Sequence, residues 1–555
     1  MLRFTSKKIV VTAALPYANG ELHIGHIRST YLPVDIHTRY LKANGYNAYS
    51  ICGTDEHGTP ILVRAIEEEK TPKDIVDHYH SIIKKALVDT GINFDIFSRT
   101  SKSIHYKMTQ EFYQRIKENG YIYKKKVRIL YCEHDKISLP DRLVRGTCPY
   151  CGAPNQYGDH CEVCGRTYSP FELKDPKCAI CGRPPVIKER EHVFFKLSEF
   201  QDELKKWIKE EVKLTKGVKD HVLSWIKDGL KDWDISRDIN WGVPIPDMHD
   251  QVFYVWFDAP IGYITFTREL FEAKGLDWEE VWVEGKGYIT HYIGKDIIYH
   301  HVLFWPAMLM AAGYALPNEI RVRGFATLEG RKMSKSKKWY ISLQDFIKIW
   351  NPDYLRFYWA HNTSESLDDG DFSLREFEEK INKVLIGEIG NFIHRVLTLI
   401  NRGKIKDPLV EKEIMEKTSQ IIEEYIKNIE NNQLDKALKN VIDAAGYGNK
   451  LLSEKEPWKN LNDEKNRKLL STLSILLITV SRMLEPYTPL TLTRLKDNLK
   501  YDSNIAIQNI IEKYTKEEEL SNLLKRITGL KKPKPLFKKV TPEEVKRAKK
   551  LLGQD

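Results

Sequence analysis

A chain of 555 residues is too long for one hydrophobic core, so three or four domains are expected. It carries no apolar run of membrane or secretory-signal length, which argues against a membrane protein and for a cytoplasmic one. The net charge of +10 favours a polyanionic partner, and eight cysteines, six of them in three Cys-x-x-Cys pairs, read as metal ligands and exclude a disulfide framework.

Lys7 to Leu15 is apolar on both faces, as in a strand inside a parallel sheet. Ile27 to Tyr40 then keeps a helical spacing up to Asn44-Gly45, with a bend expected at Pro33. His23 and His26 therefore fall where a buried strand turns into a helix. Unpaired N–H groups and the positive dipole end suit phosphate there, and two imidazoles add donors of the same kind. Gly25 lets a flat ring approach the backbone. A second buried strand, Tyr46 to Gly53, ends at Asp55, which is placed either to hold a substrate ammonium group in the crevice or to cap a helix from Thr59.

From about residue 126 the texture changes to short polar segments. Cys148, Cys151, Cys161 and Cys164 supply four thiolates at zinc-knuckle spacing, a closed set suited to a structural ion. Cys132, Cys178 and Cys181 flank that knuckle. Asp232 to Arg237 and Trp241 to Pro246 read as an aromatic corner with a salt bridge. The run Val252 to Phe266 is too aromatic and β-branched for a surface strand, and a buried strand is expected. Tyr288 to Gly294 is another strand, running into Asp296, which is placed for ribose hydroxyls or as a helix cap. His301 could line a pocket or sit in the core.

After a strand at Ile320 to Phe325, Gly330 to Lys338 reads as a glycine-hinged basic loop able to close ammonium groups over a polyphosphate. Asn351 to Arg356 starts a helix, and from about 385 the chain is helical, with heptad-like stretches such as Leu469 to Leu484. Asn391 and Arg395 lie four apart on one helix face, and Trp458 follows Pro457 at an interhelical turn. Such residues can read an unpaired RNA loop, although an exposed tryptophan is more often packing. Lys531 to Leu552 is a basic amphipathic segment.

Leu15 to His26 (LPYANGELHIGH) and Gly330 to Ser336 (GRKMSKS) resemble the class I aminoacyl-tRNA synthetases. ICGTDEHGTP, the cysteine knuckles, WDISRDINWGVPIP, VWFDAPIGY, HYIGKDIIYHH and GNFIHRV, in that order, resemble the methionyl-tRNA synthetase family in particular. The resemblance implies an α/β fold: a Rossmann-like parallel-sheet catalytic domain split by a zinc-knuckle insertion, followed by an all-α anticodon-binding bundle. The expected divisions are 1–125 and 236–325 for the catalytic halves, 126–235 for the insertion, 326–384 for the lysine loop and a linking region, 385–535 for the helical domain, and 536–555 for a segment folding back.

It also implies a reaction: methionine and ATP give methionyl-adenylate and pyrophosphate, then the methionyl group passes to the 3′-terminal adenosine of initiator and elongator tRNA. His23, His26, Lys332 and Lys335 would stabilise charge on the phosphates, Gly25, Arg237, Gly294 and Asp296 would contact ATP, and Mg²⁺ would accompany ATP. Leu15, Tyr17, Asp55, Trp256, Ala259, Pro260, Tyr263, Ile297 and His301 would line the methionine pocket, and Asn391, Arg395 and Trp458 would read the anticodon. Members with two knuckles carry a fourth cysteine where this chain has Asp135, beside His134, so a second zinc rests on Cys132, Asp135, Cys178 and Cys181. A monomer is expected. A nucleotidyltransferase would not need the helical domain, a dead paralogue would not need intact motifs, and leucine, isoleucine and valine synthetases need a larger insertion.

Overall fold

The computed structural model describes residues 7–158, 161, 163–164, 166, 168–334 and 338–553. Strand β1 (Ile9–Ala13) is apolar on both faces because both are covered: Ile9, Val11 and Ala13 enter one core, and Val10 enters another across the sheet. After the histidine segment comes a widened π turn, Ile27–Tyr31, and then helix α1 (Leu32–Ala43). The irregularity expected at Pro33 is this π turn. Pro33 itself sits at the second position of α1, directly after that turn, where its ring removes one N–H from a continuous helical run.

Strand β2 (Ala48–Thr54), helix α2 (Thr59–Glu67) and strand β3 (Ile96–Arg99) complete the first half of the sheet. The insertion is an antiparallel ribbon of β4 (Ile122–Cys132) and β5 (Val186–Phe195), with the cysteine knuckles between them at its tip. The chain returns along the ribbon, Trp233 and Asp234 pairing with Phe195 and Phe194.

The buried strand expected over Val252 to Phe266 is not formed. Only Val252–Phe253 pairs, with Ser236 and Arg237. Val255–Asp258 and Ala259–Ile261 are short helical turns, and α3 (Gly262–Ala273) follows. Val255, Phe257, Ile261, Ile264 and Phe266 are all buried. A helix covered on every side carries the same unbroken apolar run as a buried strand, so the pattern alone could not separate them.

Strands β6 (Tyr288–Gly294) and β7 (Glu319–Arg323) finish a five-stranded parallel sheet of order β7-β6-β1-β2-β3. A small hairpin, β8 (Ala326–Leu328) and β9 (Arg331–Lys332), hangs from the end of β7. Helix α4 (Pro352–His361) is capped by the Asn351 side chain, which accepts from the Asp353 N–H.

From Leu374 onward the chain is helical except for connecting turns. A π-helical stretch, Lys380–Gly390, runs into α5 (Asn391–Gly403), followed by α6 (Leu434–Lys455) and α7 (Glu464–Leu484), in which Leu469 to Leu484 are all buried. The last helix, α8 (Pro542–Leu551), folds back. Tyr354 Oη donates to the Lys538 carbonyl, and Asn382 bonds both backbone groups of Val540.

One apolar cluster runs from Ile9 through Leu476 to Val545, so sheet and bundle share a core. Within their joint lies Arg356, fully buried on α4. It donates to Asp35 of α1 at 2.6 Å, to the carbonyls of Pro486 and Tyr487 at 2.7 and 3.2 Å, and to that of Gly91 at 3.1 Å. Tyr292 Oη, on β6, also spans sheet and bundle: it bonds His37 Nδ1 at 2.8 Å and donates to Asn432 Oδ1 at 2.9 Å.

Candidate active site

The ends of β1, β2, β6 and β7 open on one crevice. Beyond β1 the chain runs extended beside β2: the Asp55 N–H donates to the Pro16 carbonyl and the Ala18 N–H to the Asp55 carbonyl, each at 2.9 Å. The rings of His23 and His26 follow with centroids 3.6 Å apart. His26 Nδ1 accepts the His23 N–H at 2.9 Å, and His23 Nδ1 accepts the Gly25 N–H at 3.2 Å. A nitrogen that accepts an amide proton carries none itself, so each neutral ring holds its proton on Nε2, ready to donate.

The lysine hairpin is stitched to the same segment. The Ile24 N–H donates to the Ile341 carbonyl and the Leu343 N–H to the Leu22 carbonyl, each at 3.0 Å, while Trp359 Nε1 donates to the Ile24 carbonyl at 2.8 Å. Lys332 is exposed on β9; Lys335 lies outside the described residues. Gly25 is covered by the methyl end of Met333, and a Cβ there would come within 2.8 Å of Ala326. A flat ring can reach Gly25 only where Met333 swings aside.

Asp296 is not a helix cap but lies within the turn Lys295–Ile297, after Gly294. A Cβ on Gly294 would stand 2.6 Å from its carboxylate, so glycine makes room for it. The crevice walls strip water from Asp296 and raise its pKa, an effect that Lys332 and Lys295 oppose.

A second pocket beside this crevice is built from β2, the Val255–Ala273 segment and the turn after β6. Asp55 does not cap α2, whose N-cap is Gly58. Its carboxyl is buried, and desolvation together with Asp258 raises its pKa well above the usual range. Asp258 itself stays low despite burial because His57, at 3.0 Å, and His105 favour its charge.

His301 Nδ1 meets the Ile297 carbonyl at 3.1 Å. A carbonyl only accepts, so this nitrogen holds the proton, and Nε2 accepts from Tyr263 Oη at 2.9 Å. Burial pushes His301 down to about 4, so the ring is neutral. Trp256 faces it edge-on at 6.3 Å, and Leu15 packs against Gly262. Tyr17 lies beside Asp55, its hydroxyl pKa raised by burial and then by that carboxyl. Ala259 and Pro260 form the turn before Tyr263.

Sequence reasoning missed His300, stacked on Trp256 at 3.8 Å, and Trp233, edge-on to His300 at 5.3 Å. It also missed His291, which accepts from Trp305 Nε1 at 3.2 Å and bonds Thr12 at 2.5 Å. The aromatic density of these stretches was visible. Which rings meet was not.

Arg237 lies over the Tyr254 ring at 3.9 Å. His192 on β5 bridges the residues around it, with Nδ1 2.6 Å from Asp234 and Nε2 2.7 Å from Asp238. Buried between two carboxylates, His192 is pushed up to about 9 against its desolvation.

Cys148, Cys151, Cys161 and Cys164 bring their sulfurs within 4.8 Å of one another, as do the ligand atoms of Cys132, Asp135, Cys178 and Cys181. The sulfur pairs at 3.9, 3.6 and 3.5 Å fit the edge of about 3.8 Å that a tetrahedron with Zn–S of about 2.3 Å requires. One Asp135 oxygen faces Cys132 and Cys178, each at 3.1 Å; the other bonds His134 at 3.0 Å, an orienting contact for a ligating carboxylate. Both sets fit a divalent ion.

In the helical domain Arg395 lies over the ring of Trp458, which is 37% exposed on the turn Pro457–Lys459. Asn391 is exposed one helical turn before Arg395 on α5. Asn449, missed in the sequence, accepts from Arg395 at 3.2 Å.

A parallel sheet that presents two adjacent imidazoles against a lysine hairpin, with a cysteine-rich insertion and a helical bundle behind, defines a class I aminoacyl-tRNA synthetase. The family model for class I tRNA synthetases (M) matches residues 9–397, and that for the anticodon-binding domain of methionyl-tRNA ligase matches residues 404–554. Curated relatives named methionine–tRNA ligase include those of Methanopyrus kandleri (42% identical, covering 99% of this chain and 82% of the relative) and Methanocaldococcus jannaschii (44%, 99% and 82%). The crystal structure of Mycobacterium tuberculosis methionyl-tRNA synthetase bound by methionyl-adenylate shares the fold at a TM-score of 0.74 and 22% identity, covering 90% of this chain and 95% of that one. The chain belongs to the methionine–tRNA ligase family.

Proposed function

We propose that the chain activates methionine with ATP and transfers it to tRNA. The observation that carries this reading is the joining of the two motif segments, Ile24 to Ile341 and Leu22 to Leu343, beside a pocket that holds the buried carboxyl of Asp55. A carboxylate oxygen of methionine attacks the α-phosphorus, and the bond to pyrophosphate breaks with its electron pair leaving on pyrophosphate. Nε2–H groups of His23 and His26 and the ammonium of Lys332, joined by Lys335, stabilise the charge that develops. Gly25, Arg237, Gly294 and Asp296 hold ATP, which brings magnesium as part of the substrate.

Asp55 pairs with the methionine ammonium. Leu15, Tyr17, Trp256, Ala259, Pro260, Tyr263, Ile297 and His301 surround the side chain, where selection rests on shape and sulfur-to-ring contacts. A hydroxyl of the tRNA's terminal ribose then attacks the methionyl carbonyl carbon, and the acyl–phosphate bond breaks with its electron pair leaving on AMP, while Asn391, Arg395 and Trp458 hold the anticodon. Zinc, held by the cysteine quartet and by Cys132, Asp135, Cys178 and Cys181, would supply folding energy to the ribbon tip and no chemical step.

Amino-acid-dependent ATP–pyrophosphate exchange across the twenty amino acids tests the reading. Methionine alone is expected to support rapid exchange; a faster signal with leucine or isoleucine would sink it.

A further inference from the structure

Arg28 lies in the π turn two residues after His26, 3% exposed, and nothing above gives it a role. Its Nη1 donates to the carbonyls of Gly324 at 2.6 Å and Phe325 at 3.0 Å, and Nη2 reaches that of Asp368 at 3.4 Å. Ser29, next in the turn, donates to the same Gly324 carbonyl at 2.7 Å. Gly324 and Phe325 are the two residues between the end of β7 and the start of β8. They form the shoulder from which the lysine hairpin hangs.

The surroundings are shaped around this guanidinium. It lies 5.7 Å from the Trp359 ring, the same ring whose N–H holds Ile24. Gly370, paired with Ala326 of β8, approaches so closely that a Cβ there would stand 2.5 Å from Arg28 Nε. The site is costly: desolvation, and then the neighbouring Arg323, lower Arg28 to about 10, and its buried Nε has no hydrogen-bond partner among the described residues. An apolar side chain would fill the space without that desolvation. It could not fix the direction of two successive carbonyls, and a rigid fork of donors can.

We propose that Arg28 is a positioning residue for adenylate formation, locking the shoulder of the lysine hairpin to the first turn after the histidine pair so that Lys332 meets the phosphates in register with His23 and His26. This rests on the phosphate roles proposed above for those three residues. The far end of the hairpin is tied to the histidine segment through Ile341 and Leu343. At the near end Gly324 and Phe325 also bond Ser366, Asp369 and Gly370, and Ser29 takes one carbonyl, but the Arg28 fork is what joins both carbonyls to the histidine turn. Without the fork the shoulder keeps its other contacts but loses its two-point register with the histidine turn, so the Lys332 ammonium would range over a wider arc and stabilise the departing pyrophosphate less well.

The test uses the full chain with Arg28→Met, Arg28→Lys, Lys332→Ala and the two double variants, measuring kcat and both KM values in pyrophosphate exchange alongside thermal melting. Arg28→Met is expected to lower kcat about tenfold or more, with the methionine KM within about twofold of the parent. Arg28→Lys, which keeps the charge but has no fork, is expected to fall between. It carries the test alone if the methionine variant does not fold.

In the Lys332→Ala background either Arg28 change should cost less than about twofold more, because it acts through that lysine. A full multiplicative loss in that background overturns the proposal while leaving the lysine's role intact. If Lys332→Ala itself leaves kcat unchanged, the lysine reading fails and the proposal with it. A methionine KM that rises in step with the fall in kcat would mark Arg28 as merely structural and overturn the proposal too.

Discussion

The guanidinium of Arg395 lies 5.5 Å from the centre of the Trp458 ring, with Asn449 holding it from the other side at 3.2 Å. The ring is 37% exposed, which leaves surface open to a base. Trp458→Ala is therefore expected to remove about 1–3 kcal/mol of base stacking, seen as a lower kcat/KM for tRNA charging. Pyrophosphate exchange and the melting temperature should stay as in the parent. A variant that melts early and charges normally in the cold would show that the ring only packs.

His192 makes a pH prediction possible. Its folded pKa is raised to about 9 by Asp234 and Asp238, against about 6.5 in an unfolded chain. A raised pKa means that the protonated form is favoured by folding, so the contribution is fully present below about pH 6.5 and is lost as pH rises through about 9. The gap in melting temperature between parent and His192→Gln should be widest near pH 6, narrow as pH rises through neutrality and be largely gone by pH 10. A gap that widens on the alkaline side would contradict the bridge.

Asp55 leads to a prediction about substrate binding. Burial and Asp258 raise its pKa and so favour the protonated carboxyl, and an ammonium group placed against it would favour the charged form. Methionine binding near neutral pH should therefore release a proton. Calorimetry in two buffers of different ionisation enthalpy should give different apparent heats for the parent and equal heats for Asp55→Asn. Equal heats for the parent would argue that Asp55 is already ionised.

The second cysteine cluster predicts a metal count. Elemental analysis should find about two zinc per chain, falling to about one in Asp135→Ala and staying at two in Asp135→Cys. A count of one in the parent would mean that Cys132, Cys178 and Cys181 do not hold an ion with Asp135.

The parts of the molecule that were readable in advance are those where chemistry and local pattern coincide. Ile9 to Ala13 and Tyr288 to Gly294 are strands buried on both faces, and their apolar runs say so. The histidine pair and the first cysteine quartet depend on spacing within a few residues. Val252 to Phe266 misled because complete burial removes the periodicity that separates helix from strand. Arg28 and His192 were invisible for a different reason. Arg28 works through carbonyls 296 and 297 positions away, and His192 through carboxylates 42 and 46 positions away. An isolated arginine or histidine in a charged sequence gives no hint of such partners.

Arg356 ties α1, the loop at Gly91 and the turn before the last third of the bundle to a single guanidinium, inside a core that runs unbroken between sheet and helices. Such a joint has no slip plane. The span from Trp458 to the crevice is then set by the protein, so the anticodon reading proposed for Trp458 predicts selection by length as well as by sequence. A tRNA with one additional base pair in its anticodon stem would present its anticodon and its 3′ end out of step, and no choice of anticodon would restore its charging.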